Sequence, residues 1–250
     1  MAINLNEPRS ASPSVTFRVP RWVVWSAPLV LVAILVSYRW IDRPLSDALN
    51  QMPKAGKVAT EWVTELGHSK YYFIGLPILI ALLLWRGRRR WAMRAGLFLG
   101  SVALAGLAAP ALKVIFGRYR PEAWWDHGHW GFDLLRIKYE HGSFPSGHAS
   151  VSGALMMAAC LVAPRFWPMF VVLGGTVAFT RVMTGSHFLS DVIAGLYLGM
   201  LSAVLMRHEL RKHRLYPPAS VDTTAPVGDE VGGEKMARTT STSTGSPPAE

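Results

Sequence analysis

Six apolar runs constrain this chain more than any other feature. They cover about 22–38, 71–85, 95–112, 149–163, 166–180 and 188–206, and no polar stripe recurs along them at helical spacing. Segments that are apolar all round have no face to offer water, so they belong in a protein core or a bilayer. Several are nearer to ~15 than to the ~20 residues that usually cross a hydrocarbon core. Arg or Lys flanks most of their ends, and such side chains can snorkel to the interface while flanking residues extend the helix. With half of the 250 residues hydrophobic and a mean hydropathy of +0.23, the expected fold is all-α, a bundle of six transmembrane helices.

The charge pattern orients the bundle. Lys and Arg number 26 against 16 Asp and Glu, a formal +10. Nucleic acid and basic cytoplasmic loops are the competing explanations, and the apolar runs favour loops. Arg86, Arg88, Arg89, Arg90 and Arg94 crowd behind the second run, Arg207, Arg211, Lys212 and Arg214 behind the sixth, and Arg9, Arg18 and Arg21 before the first. Six crossings place all three groups on one side, the cytoplasmic one, with both termini. Segments 39–70, 113–148 and 181–187 then meet on the outer side. The first run ends in SYRWIDRP without a small-residue cleavage pattern and reads as a retained anchor. The organisation expected is a cytoplasmic segment over 1–20, a membrane domain over 21–215, and a disordered cytoplasmic tail over 216–250, rich in Pro, Gly, Ser and Thr. The single cysteine, Cys160, rules out an intrachain disulfide and a Cys-rich zinc site.

Three outer segments carry unusual residues: KVIFGRYRP (113–121), PSGH (145–148) and TRVMTGSHFLSD (180–191). Ser146 and Gly147 open the fourth run, where free N–H groups and the helix dipole favour an anion and Gly lets it approach. Asp191 is the one acidic residue inside any run, and a carboxylate in a membrane is functional by default. It follows His187 by four residues, so both share a helical face and Asp191 leans back toward the imidazole. A carboxylate on one ring nitrogen fixes the tautomer and frees the other nitrogen as nucleophile or base. Lys113, Arg120 and Arg181 supply three cations, Arg181 with a planar fork suited to phosphate oxygens. Arg118 reads as an anchor or a solvated charge. Phosphoryl transfer needs little beyond positioning and neutralised oxygens, and these residues supply both.

Together the segments resemble the signature of the type-2 phosphatidic acid phosphatase superfamily, which also includes the vanadium haloperoxidases. That pattern runs Lys, six residues, Arg-Pro; then Pro-Ser-Gly-His; then Ser-Arg, five residues, His, three residues, Asp. Lys113, Arg120-Pro121, Pro145 to His148, Arg181, His187 and Asp191 fit every spacing, with Thr180 where Ser is usual. The resemblance implies that His187 attacks phosphorus, Asp191 orients it, and His148 protonates the leaving oxygen. Lys113, Arg120, Arg181, Ser146 and Gly147 would hold the phosphate, with no metal and no cofactor. It implies a lipid phosphate substrate whose tail stays in the bilayer. For a bacterial inner membrane, undecaprenyl diphosphate on the periplasmic side comes first. Phosphatidylglycerol phosphate, phosphatidic acid and lipid A 1-phosphate are alternatives, as is transfer to an alcohol. No nucleic acid and no obligate protein partner is expected.

Rival classes fare worse. A transporter would spread polar residues through several spans, and a non-catalytic scaffold would have lost His148, His187 or Asp191. His127 and His129, in WWDHGHWGF, are set aside as metal ligands. Trp124, Trp125, Trp130 and Phe132 read as interface anchors or as the entry for a lipid tail. His68 and His141 read as loop residues.

Overall fold

The computed structural model describes residues 21–52, 60, 62–213 and 215. The expectations for 1–20 and 216–250 fall outside these residues. Apart from one isolated bridge between Arg118 and Phe132, the described residues form helices and their connections, so the fold is all-α. The main helices are α1 (Arg21–Val36), α2 (Asp42–Asn50), α3 (Ser69–Trp85), α4 (Arg89–Phe116), α5 (Pro121–His127), α6 (Gly147–Val162), α7 (Trp167–Met183) and α8 (Leu189–Lys212). Four helical stretches are long and apolar enough to cross a membrane: Val23–Asn50, Arg89–Phe116, Pro164–Met183 and Leu189–Lys212. The apolar helices α3 and α6 are shorter, at 17 and 16 residues.

Solvent exposure separates the inside of the bundle from its membrane-facing surface. Helix α3 buries none of its residues, and Val24, Leu29, Val32, Ile74, Ile78, Val172 and Leu173 all lie on the outside. Such a periphery belongs in lipid, and the protein is an integral membrane protein. The buried centre is made by α4, α6 and α8, with small residues at the contacts. Ala154 meets Val102 and Ala105, and Ala158 meets Leu97 and Ala203. Between α6 and α8 the backbones approach closely. A Cβ on Gly199 would stand 2.0 Å from the Ser150 carbonyl oxygen, and one on Gly153 would stand 2.2 Å from that of Leu196. Small residues at helix crossings are how membrane bundles gain packing energy when lipid already solvates apolar side chains.

The first run continues farther than its hydropathy indicates. Helix α1 passes through a π-helical turn, Ser37–Ile41, directly into α2, so residues 39–50 are helical and not loop. Pi-turns inside helices often mark functional sites. This one places Asp42 inside the protein, fully buried.

The ends of α4 and α7 and the starts of α6 and α8 come together. Gly117 ends α4 in the left-handed conformation (φ 54°), and its N–H bonds the Lys113 carbonyl at 2.9 Å. Only glycine suits this position, because a Cβ would overlap the Asp133 carbonyl. The Ser146 N–H bonds the Asp191 carbonyl at 3.0 Å, joining the start of α6 to the first turn of α8.

Candidate active site

His187 sits in the turn between α7 and α8, whose backbone is tied to α7 by the His187 and Ser186 N–H groups bonding the Arg181 carbonyl. Its side chain is 3% exposed. Nδ1 lies 2.9 Å from the Ser143 carbonyl oxygen and 3.8 Å from Asp191 Oδ2. A carbonyl can only accept, so Nδ1 carries the proton and Nε2 is left with a free lone pair. The group that fixes this tautomer is the Ser143 carbonyl, at 2.9 Å, more than Asp191, at 3.8 Å. Asp191 is close yet occupied elsewhere. It accepts from Ser143 Oγ at 2.6 Å, from the Phe188 N–H at 2.9 Å, and from Arg118 Nη1.

Burial pushes the His187 imidazole down to about 4, against an upward pull from Asp191. It is therefore neutral at pH 7. In the unfolded chain it would titrate near 6.5, so between these values the unfolded state binds more protons and stability falls with falling pH. The contribution is whole above pH 6.5 and is lost toward pH 4. At pH 5 the loss is about 2 kcal/mol. Melting curves of the detergent-solubilised protein should show the wild type losing this much relative to His187→Asn between pH 7 and pH 5. Parallel curves for the two proteins would refute the low value.

Lys113 at the end of α4, Arg120 just before α5 and Arg181 near the end of α7 lie within electrostatic reach of one another. Lys113 and Arg120 also reach His187, and Lys113, Arg181 and His187 reach His148. Arg120 is braced by the Tyr139 carbonyl (3.0 Å from Nε), by the Gly142 carbonyl (3.4 Å from Nη2) and by the Tyr139 ring. Arg181 keeps a buried Nε–H with no acceptor. An unmet buried donor is costly, and an anion oxygen would satisfy it. Ser146 caps α6, its Oγ accepting from the Ala149 N–H at 3.4 Å. Beside Gly147 there is open space. His148 follows, with the His68 ring 5.1 Å away. All eight residues singled out in the sequence thus gather at one end of the bundle.

Two expectations need correction. Arg118 is neither an anchor nor solvated. It is 1% exposed and pairs with Asp42 through Nη2 (2.7 Å) and with Asp191 through Nη1. The aromatic loop is not only an interfacial belt, because it roofs the site from within the protein. Trp130 stacks on Tyr38 and meets Phe188 edge-on, Trp124 Nε1 donates to Asp47 at 2.9 Å, and Trp125 presses on Gly185. Likewise His141 is buried against Tyr119, and His68 is a neighbour of His148. Sequence reasoning missed Asp42, Ser143 and Ser190. Of these only Asp42 left a trace, as a carboxylate just beyond an apolar run.

An all-α membrane bundle with three cations, a capped helix N-terminus and a neutral buried histidine at one end is a membrane protein built to handle a phosphoryl group. Residues 94–214 match the PAP2 superfamily. A lipid A 1-phosphatase from Rhizobium etli is 31% identical over 192 residues, covering 70% of this chain and 80% of that one. A second lipid A 1-phosphatase, from Rhizobium johnstonii, is 32% identical over 199 residues, covering 72% and 79%. The fold is that of a PAP2-type phosphatidylglycerolphosphate phosphatase from Bacillus subtilis, with a TM-score of 0.56 at 22% identity, covering 76% of this chain and 96% of that one. The chain belongs to the PAP2 superfamily, and it is a phosphatase of the lipid phosphatase kind.

Proposed function

We propose that the protein removes the phosphate group from a lipid at the outer face of a bacterial inner membrane, through a phospho-histidine and without a metal. The observation that carries this reading is the free Nε2 of His187, whose ring feels Lys113 and Arg120, with Arg181 within reach of Lys113. Nε2 attacks phosphorus as the bond from phosphorus to the leaving oxygen breaks, and His148, which takes up a proton as the phosphate anion binds beside it, gives that proton to the leaving oxygen. The same His148 then takes a proton from water as water displaces His187, releasing inorganic phosphate. The three cations, Ser146 and the Gly147 N–H hold the phosphoryl oxygens throughout. In this reading α3 and α6 cross beside the four longer stretches, and the basic loops, which share one side under that count, support a cytoplasmic location for that side.

The names of the Rhizobium relatives favour lipid A 1-phosphate over undecaprenyl diphosphate, which composition and spacing do not separate. An apolar cavity of about 400 Å³ supports a lipid. It is lined by Leu66, Tyr72, Leu155, Met156 and Val177 among others. Gly67, next to Leu66, packs against Val177 and His148, so the cavity begins beside the site. An acyl chain fits such a lining.

Phosphate release in detergent with EDTA present, across lipid A 1-phosphate, undecaprenyl diphosphate, phosphatidylglycerol phosphate and phosphatidic acid, tests the reading. Turnover is expected to be highest on lipid A 1-phosphate and unaffected by EDTA. Preference for undecaprenyl diphosphate would change the substrate, loss of activity restored by zinc would change the mechanism, and silence on all four would sink the proposal.

A further inference from the structure

Asp42 stands outside the matched segment 94–214 and outside every motif of the site, yet it is built into the site's charge network. The π-helical turn Ser37–Ile41 ends on it, and Ser37 Oγ donates to Oδ1 at 2.8 Å. The Ser190 N–H donates to Oδ1 at 3.0 Å, while Ser190 Oγ and Arg118 Nη2 donate to Oδ2. Arg118 thus divides its two terminal nitrogens between Asp42 and Asp191, and all three side chains are 1% exposed or less. Tyr38, Trp130, Phe132 and Phe188 surround the guanidinium at 4.7–5.4 Å from its carbon, fixing it between the two carboxylates.

The charge count is informative. One guanidinium against one carboxylate would be neutral, whereas one against two leaves the buried cluster at −1. Asp191 is the member nearest His187, 3.8 Å away. When Nε2 bonds to phosphorus while Nδ1 keeps its proton, the ring becomes cationic. A negative charge already in place at that distance favours this state over the resting, neutral ring. Had Arg118 served Asp191 alone, the pair would offer the ring little net field.

We propose that Asp42 is a positioning residue for the His187 reaction: it shares Arg118 with Asp191 and so leaves Asp191 the negative charge that steadies the ring once it is bonded to phosphorus. This rests on the phosphatase reading above. Asp42→Asn keeps the size and one accepting oxygen but takes the cluster from −1 to 0. Orthovanadate, which can bond to an imidazole nitrogen as a five-coordinate mimic of the transferring phosphoryl, and inorganic phosphate, which binds without that bond, separate the reacting from the resting state. The purified full-length protein is titrated with each, alongside its melting temperature. The Asn protein is expected to bind orthovanadate about 10- to 100-fold more weakly, the scale of one unit charge acting across a few ångströms of protein interior. It should bind phosphate within about threefold of wild type and still fold, with a lower melting temperature, because the amide NH2 meets two of the four donors that Asp42 accepts from. Asp42→Glu, which keeps the charge, should hold the wild-type ratio of the two affinities.

An Asn protein that fails to fold, or that loses both anions in parallel, would assign Asp42 to folding alone and overturn the proposal. So would an unchanged ratio in Asp42→Asn, or a Glu protein that behaves like Asn. Wild-type protein that binds both anions but releases phosphate from no lipid would fault the proposed function and leave the test of Asp42 intact.

Discussion

Replacing His187 with alanine is expected to abolish phosphate release from a lipid phosphate, a loss of about 10⁴-fold or more, the scale on which enzymes lose a covalent nucleophile. No neighbouring side chain can substitute. Asp191 is fully buried and engaged by Arg118, Ser143 and the Phe188 N–H. His148 lies in the first turn of α6, and the proposed mechanism assigns it to proton transfer. The substitution should leave phosphate binding largely intact, because Lys113 and Arg120 come from another segment and Arg181 is tied to His187 through backbone atoms that the substitution keeps. The measurement is therefore turnover together with phosphate affinity. Retained wild-type turnover in the alanine protein would place the nucleophile elsewhere. Lost turnover with phosphate affinity lost as well would indicate a collapsed site and not a missing nucleophile.

The residues proposed to contact the reacting group were legible in the sequence, and those that hold them in place were not. Lys113, Arg181, His148 and His187 stand at the ends of apolar runs, where a charged or titratable group is conspicuous, and the spacing of these residues and Arg120 follows a known pattern. The helices were legible for the same reason, since hydropathy marks what lies in lipid. Hydropathy failed at residues 39–50, where the helix leaves the apolar run but stays helical. It also failed for Arg118, one of two arginines in GRYRP. Nothing local tells which arginine turns inward. That choice is made by Asp42, 76 residues earlier, by Asp191, 73 residues later, and by four aromatic rings from three segments. Ser143 was invisible because its carbonyl acts as much as its side chain does, and every residue type has a carbonyl.

Arg118→Ala is expected to be the most destabilising single substitution among the site residues. Among the described residues the guanidinium is the cation that pairs directly with both carboxylates, and both are fully buried. Removing it leaves Asp42 and Asp191 repelling each other where water does not reach, and empties the space among Tyr38, Trp130, Phe132 and Phe188. Breaking a buried ion pair from one side costs about 3–5 kcal/mol. That is a large share of the roughly 5–15 kcal/mol that holds most domains folded. A melting temperature lower by about 10 °C, or failure to accumulate in membranes, is the expected outcome. Arg118→Lys separates charge from geometry. One ammonium keeps the net charge but cannot reproduce a planar fork that serves two carboxylates and Ser190 at once. The lysine protein should therefore fold with a smaller drop in melting temperature and still turn over more slowly than wild type. Because Asp191 also receives Ser143, whose carbonyl anchors His187, the defect should appear in kcat before KM. An alanine protein that melts within about 2 °C of wild type and keeps its turnover would show that the two carboxylates find compensation elsewhere, and would remove Arg118 from the support of the site.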